Sequence, residues 1–158
     1  MQISSRFTIA VHMMTCMETF KEDYKITSDF LASSIHVNPV IIRRLLSQLK
    51  EAGLIGVKRG TGGAAAIEPL DEITFLDIYR AVECMGDNTL FHFHENPDPQ
   101  CPVGRNIHNL LDGRLKRVQE AMERELKSIT MADVMEDMGK YQWCQNYASG
   151  GFPVEGEV

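Results

Sequence analysis

The chain has 158 residues, of which 44% are hydrophobic and 24% are charged, and its formal net charge is −6. Such a composition is typical of a soluble globular protein with one core, or a small domain with an appendage. No apolar run approaches the roughly 20 residues that span a bilayer, and the first residues lack the apolar core of a signal peptide, so we expect a cytoplasmic protein without a membrane segment.

The charges are distributed unevenly along the chain. Residues 1–67 contain eight Lys or Arg and five Asp or Glu, whereas residues 68–158 contain eight and seventeen. Phosphate binding requires local positive charge and not a positive total. The distribution therefore predicts a DNA-facing module at the front, attached to a part that points away from DNA.

The first three predicted elements are helices. Residues 4–20 carry apolar side chains at helical spacing, and Thr27 opens a second helix over residues 28–35. After a two-residue turn, Asn38 followed by proline starts a third helix, which is predicted to run to Ala52, with Gly53 placed to end it. Two helices joined by so short a turn predict a helix-turn-helix.

A small β-hairpin is expected next. Residues 54–58 and 64–67 can form two short strands around the turn at residues 59–63, where glycines permit the positive φ angles of a hairpin. A basic, glycine-rich hairpin that directly follows a helix-turn-helix predicts a wing.

The rest of the chain is expected to be helical. A fourth helix is predicted over residues 74–84, a loop up to residue 102, a long helix over residues 103–128 and a short helix over residues 131–138. The apolar stripe of the long helix persists for some seven turns, about twice the usual length. Either a second copy or the chain's own domain must cover this stripe, and we favour a homodimer because winged helices read two-fold sites as dimers.

The expected fold is therefore mostly α with a small β-hairpin wing. Residues 1–70 are predicted to form the winged helix-turn-helix, residues 71–140 the sensor loop and dimerisation helices, and residues 141–158 a flexible tail.

The outer face of the third helix is the predicted reading surface for DNA. Val40, Arg43, Arg44 and Ser47 share this face because they are three, four and seven residues apart. Arginine can bond O6 and N7 of guanine, and Val40 can contact a thymine methyl group. Ser47 and its neighbour Gln48 are expected to contact phosphate.

The wing and the first helix supply the remaining predicted contacts. Arg59 can enter a narrow minor groove, and the start of the first helix, at Arg6, can hold a phosphate. A pair of arginines alone is usually a solvated face, so the order of elements is what favours DNA binding. The complete predicted set is Arg6, Asn38, Val40, Arg43, Arg44, Ser47, Gln48, Lys58, Arg59, Thr61 and Gly62.

The runs LLSQLKEAGLI (45–55), RGTGG (59–63) and EITFLDIYRAVE (72–83) resemble the Rrf2 family of bacterial regulators, and the resemblance covers residues 1 to about 130. It implies a homodimer that binds double-stranded DNA, usually as a repressor, and that senses its signal through a cofactor or a thiol. Cluster-binding members carry three closely spaced cysteines before the long helix, where this chain has only Cys84 and Cys101. We therefore expect a cluster-free regulator without a cofactor, responding to a small molecule, an electrophile or an oxidant.

Cys101 is the predicted sensor. It precedes the long helix, whose dipole favours a thiolate, and Arg105 lies one turn further on. An oxidised or alkylated thiolate at this hinge would shift the two DNA-binding heads. The alternatives are a small buried cysteine that seals the start of the helix, or a disulfide with Cys84. Cys16 is expected to be structural.

Three rival functions are weaker on the sequence. A metal-responsive regulator would use His92, His94, Glu95 and His108 near Cys101, but their spacing matches no known ligand pattern, and no metal site is predicted. An enzyme built on Cys101 would need an oriented base and an oxyanion hole, for which the sequence gives no sign, so we expect no enzymatic activity. A winged helix that binds protein usually lacks a basic wing, whereas the wing predicted here is basic.

Overall fold

The structure is a computed structural model that describes residues 4–58, 63–83, 90–91 and 94–141, with Lys58 described by its backbone alone. The elements are α1 (Ser5–Phe20), α2 (Ser28–Ile35), α3 (Pro39–Glu51), β1 (Ile55–Lys58), β2 (Gly63–Ala66), α4 (Phe75–Glu83), α5 (Pro102–Ser128) and α6 (Met131–Gly139). This arrangement confirms the predicted fold class, a mostly helical chain with a two-stranded hairpin.

The first three helices begin at polar caps. The side chains of Ser4, Thr27 and Asn38 accept hydrogen bonds from backbone amides of the first helical turns at 3.2, 3.1 and 2.8 Å. Each bond satisfies an amide that has no partner within the helix. These short-range bonds explain why the sequence predicts where α1, α2 and α3 start.

The end of α3 sets the start of the hairpin. Gly53 adopts a φ of 78°, its amide donates to the carbonyl of Lys50 at 3.0 Å, and the amide of Leu54 donates to the carbonyl of Leu49 at 3.0 Å. This bond pattern is a Schellman motif. Because Leu54 completes the motif, the strand begins at Ile55, one residue later than predicted.

Thr74 is the cap of α4 rather than its first residue. Its hydroxyl accepts from the amide of Asp77 at 3.2 Å, while its own amide donates to the Asp77 carboxylate at 2.9 Å. These reciprocal bonds form a capping box with aspartate in the usual place of glutamate. The helix therefore begins one residue later than the sequence predicted.

One core joins both halves of the described chain. Met13 from α1, Leu31 from α2, Leu45 from α3, Ile78 from α4 and Met131 from α6 are all essentially inaccessible to solvent. The residues around the start of α4 also bond to those around the start of α6, since the amide of Phe75 donates to the carbonyl of Ile129 and the amide of Met131 donates to the carbonyl of Ile73, each at 2.9 Å. The proposed boundary near residue 70 stays a prediction.

The long helix α5 is less buried than the others. None of its residues is fully buried, although Ile107, Leu111, Leu115, Met122 and Leu126 are half-covered. Val103, Leu110 and Val118 remain 62%, 48% and 52% exposed. The predicted stripe is therefore divided into a partly covered row and an exposed row.

Within the described residues, no helix is both long enough and apolar enough to cross a membrane.

Candidate nucleic-acid interface

The two faces of α3 separate as the sequence predicts. Ile42, Leu45 and Leu49 are buried in the core and fix the rotation of the helix. The outer face consequently points to solvent, and the exposed residues on it are Val40, Arg43, Arg44, Ser47 and Glu51. Val40 is 65% exposed, and its neighbour Ile41, which the sequence analysis missed, is also exposed. Two large apolar side chains at the start of α3 thus lie beside two arginines.

Arg43 reaches across to the first turn of α2. Its Nε donates to the hydroxyl of Ser28 at 3.4 Å, and its Nη2 lies 3.5 Å from Oδ1 of Asp29. Sequence reasoning assigned no role to Ser28 or Asp29. The contact joins residues 14 and 15 positions apart, so no local pattern could have revealed it.

For two of the predicted contact residues, the structure shows that the side-chain oxygen is engaged or buried in the fold. Oδ1 of Asn38 accepts the amide of Val40, so this oxygen caps α3. Gln48 is half-buried, and its Oε1 is buried without a hydrogen-bond partner among the described residues. Its contact with phosphate stays a prediction, and it requires the amide group to reach outward from this position.

Arg6 lies half-buried at the start of α1. The hydroxyl of Ser4 at this same end donates to the carboxylate of Glu83, at the end of α4. The start of α1 therefore lies against the end of α4. The predicted phosphate contact of Arg6 remains a prediction at that position.

The two strands of the hairpin bring Lys58 and Gly63 together at one end of their ladder. Ile55 pairs with Ala66 and Lys58 pairs with Gly63, in antiparallel register. The backbone of Lys58 is therefore at the turn end of β1. The side chain of Lys58 and the residues Arg59, Thr61 and Gly62 lie outside the described part of the structure, so their predicted contacts stay predictions.

The wing is fixed to the rest of the domain at its second strand. The amide of Ala64 donates to the carbonyl of Ile26 at 2.9 Å. Gly63 has a φ of 69°, and a Cβ atom there would lie 2.7 Å from the same carbonyl oxygen. Only glycine permits this approach, which ties the wing to the loop before α2.

Cys101 is an exposed free thiol at the start of α5. Its sulfur makes no capping hydrogen bond of full geometry. The backbone amides of Gly104 and Val103 nevertheless face it and lower the pKa of the thiol. The alternative of a buried cysteine that seals the helix start is therefore wrong, because Cys101 is exposed.

The structure describes some of the other cysteine and histidine residues that the sequence singled out. Cys16 is buried, its sulfur is 3.4 Å from the hydroxyl of Ser34, and burial raises its pKa. Cys84 and His92 lie outside the described residues. Nδ1 of His108 is 3.5 Å from the Asp112 carboxylate. Among the residues that the structure describes, no three His, Cys, Asp or Glu side chains are grouped as metal ligands would be.

Two grooves flank α5, with volumes of about 580 and 430 Å³. The larger is lined by charged residues of α4 and α5, including the ion pair between Arg80 and Glu123 at 3.0 Å. Neither groove contains Cys101 or a histidine. Neither groove therefore brings Cys101 and a histidine together, as a cysteine-dependent enzyme would require.

The sequence matches the Rrf2 family, described as "Iron-dependent Transcriptional regulator", over residues 3–137. YwnA of Bacillus subtilis (strain 168), named as an HTH-type transcriptional regulator, is 40% identical over 136 residues, which are 86% of this chain and 98% of YwnA. A solved DNA-binding protein is 37% identical, with a TM-score of 0.67 over 83% of this chain and 99% of that one. IscR of T. potens shares the fold at 20% identity, with a TM-score of 0.64 over 87% and 88% of the two chains.

The described residues do not fit the iron that the family description implies. Protein iron sites use several cysteine, histidine or carboxylate ligands together. In the described part of the chain, Cys101 is exposed beside backbone amides and belongs to no such group.

Proposed function

The chain belongs to the Rrf2 family of transcriptional regulators, which are not enzymes, and from this premise we propose that it is a homodimeric repressor that reads operator DNA through the outer face of α3. We place it in the cytoplasm, where its DNA is. The observation that carries the proposal is the exposure of Val40, Arg43 and Arg44 on a helix whose opposite face is fixed in the core.

The chemistry of this face suits the major groove. Guanine presents two acceptors there, which an arginine fork matches, and thymine presents a methyl group that an exposed valine can cover. The acidic second half of the chain does not oppose this binding, because the arginines lie in the mildly basic first half.

A dimer is supported by the exposed row on α5. Val103, Leu110 and Val118 are seven and eight residues apart, so they lie on one side of the helix. Fully burying an exposed side chain of this kind contributes about 1.5–3 kcal/mol, and these three, which are already partly covered, would each contribute about half of that. We propose that α5 of a second copy covers them, which would set the two copies of α3 a fixed distance apart.

The experiment that tests the function is selection of duplexes from a random pool by the purified protein, followed by measurement of its affinity for the selected and scrambled sequences. We expect a preference of at least roughly a thousandfold and a steep loss of affinity with salt. Equal binding to the selected and scrambled duplexes would contradict sequence-specific regulation. Absence of DNA binding at low salt would favour a protein-interaction module instead.

We also propose that Cys101 senses the signal that releases the operator. The exposure of the thiol and its lowered pKa support a reactive thiolate. Its place at the junction between the preceding loop and α5 supports a link to the geometry of the dimer. An oxidant or an electrophile is the class of inducer that such a thiolate would detect.

A further inference from the structure

The guanidinium of Arg43 is held by two residues at the start of α2. Nε donates to the Ser28 hydroxyl at 3.4 Å, and Nη2 lies 3.5 Å from Oδ1 of Asp29. The side chains of Arg43 and Asp29 are 59% and 77% exposed. A contact as exposed as this adds little to the stability of the fold, but it restricts the directions that the guanidinium of Arg43 takes.

The contact leaves part of the guanidinium free for another ligand. An arginine has five N–H donors, one on Nε and two on each terminal nitrogen. Ser28 and Asp29 occupy the Nε donor and one donor of Nη2, on one edge of the fork. Among the described residues, both donors of Nη1 and the second donor of Nη2 remain. One Nη1 donor and this Nη2 donor form the terminal edge, which can bond O6 and N7 of a guanine in parallel.

We infer that Asp29 is a positioning residue that holds Arg43 for a guanine in the major groove and thereby sets the base preference of the regulator. The inference rests on the proposed function, since it assumes that α3 reads DNA. Fixing a flexible side chain before binding lowers the entropy lost on binding. The tether therefore favours the duplex in which guanine meets the free edge.

Asp29 also carries a negative charge on a surface that faces phosphates. An exposed carboxylate there weakens binding to every duplex, irrespective of its sequence. Lower affinity for all duplexes, combined with a fixed arginine, raises the ratio of the affinity for the correct sequence to the affinity for incorrect ones. Asp29 should thus reduce affinity overall while it increases discrimination, and these two effects can be separated experimentally.

The test uses the full chain and the duplex that the wild type selects, with each guanine replaced in turn by 7-deazaguanine, which lacks the N7 acceptor. For the wild type we expect the replacement of one guanine in each half-site to lower the affinity roughly tenfold, which is the penalty for losing N7. In Asp29→Ala this penalty should fall to about twofold or less, while binding to scrambled DNA becomes several-fold tighter. Arg43→Ala should show no penalty at that guanine, and adding Asp29→Ala to it should not change the preference further.

Glu51→Gln is the matched control. Glu51 lies on the same outer face of α3, but it accepts from the Ser47 hydroxyl at 3.2 Å and not from an arginine. Removing its charge should tighten binding to all duplexes while the 7-deazaguanine penalty stays as in the wild type. Asp29→Asn retains an acceptor without the charge, so its penalty should lie between those of the wild type and Asp29→Ala.

The inference is overturned if Asp29→Ala behaves as Glu51→Gln does, with tighter binding and an intact guanine penalty, because Asp29 would then act only as a charge. It is overturned equally if the wild type discriminates between sequences but shows no penalty at any guanine. Loss of the proposed function has a different signature, namely a wild type that does not distinguish selected from scrambled DNA. Circular dichroism of each variant confirms that the exposed substitution leaves the helices intact.

Discussion

Cys101 shows how a helix start changes the chemistry of one residue. The amides of Val103 and Gly104 lie at the first turn of α5, and they lower the pKa of the Cys101 thiol. Gly104 itself lies close to the preceding loop, since a Cβ atom there would be 2.6 Å from the carbonyl oxygen of Asp98. The position of the loop and the environment of the sulfur are therefore linked.

The thiolate of Cys101 should form at lower pH than that of an ordinary cysteine. Because the pKa is lowered, a larger fraction of the thiol is ionised at any pH below the ordinary value, and alkylation should reach half its maximal rate at a lower pH than that of an ordinary cysteine. Cys16 should react more slowly, since burial raises its pKa. Mass spectrometry of peptides after timed alkylation follows each cysteine separately.

The same residue is tested for its regulatory role by operator affinity. Wild-type protein treated with peroxide or a quinone should release the selected duplex, whereas Cys101→Ser should retain it. Cys16→Ala is the control, and its response to oxidant should match that of the wild type. An unchanged response of Cys101→Ser would remove Cys101 from the sensing mechanism.

Single residues differ in how far the sequence predicts them. Helical spacing places Arg43 on the outer face of α3 because the burial of Ile42 and Leu45 is implied by the same repeat. The partner of Arg43 is not predictable in this way, because Asp29 lies on another helix. Gln48 shows a similar limit, since the burial of its side-chain oxygen is not evident from the sequence.

Among the elements, the hairpin depends on one backbone position. Gly63 combines a φ of 69° with close contact to the carbonyl of Ile26. Side chains other than glycine are strained at such angles. The orientation of the wing therefore depends on a contact between β2 and the loop before α2.

Gly63→Ala should destabilise the fold by about 1–3 kcal/mol, through backbone strain and the contact of the new Cβ with Ile26. Gly113→Ala is the matched control, because Gly113 lies within α5 and nothing lies within 4 Å of its added Cβ. That change should stabilise the helix by about 0.5–1 kcal/mol. Urea unfolding measures the free energy of unfolding of both variants. Equal effects of the two changes on it would contradict the role assigned to Gly63.

The elements that the sequence predicts well are those whose ends depend on neighbouring residues. Caps and the Schellman motif at Gly53 are local, so the bounds of α1 to α3 follow closely from the pattern. The burial of α5 is not local. Its apolar repeat predicts that some partner covers the stripe, but only the packed structure shows that Leu111 and Leu115 are half-covered within the chain while Leu110 is exposed.

At the scale of the whole molecule, the exposed row on α5 is the surface that the proposed dimer would bury. Leu110→Asp and Val118→Asp should each weaken self-association by at least roughly tenfold, since a charge replaces apolar surface twice in a symmetric interface. Asn109→Asp adds the same charge at a neighbouring exposed position on another side of α5 and should leave the dimer intact. Sedimentation equilibrium gives the masses. If Leu110→Asp keeps the mass of a dimer at protein concentrations where weakened association would give monomers, this row is not the interface.

The most direct measurement of the central claim is protection of guanine N7 from methylation on the selected duplex, because N7 lies in the major groove. Two copies of α3 should protect two patches about 10 base pairs apart on one side of the duplex, and Arg43→Ala should lose protection in both. A single patch, or protection that persists without Arg43, would contradict the view that paired α3 helices read the DNA.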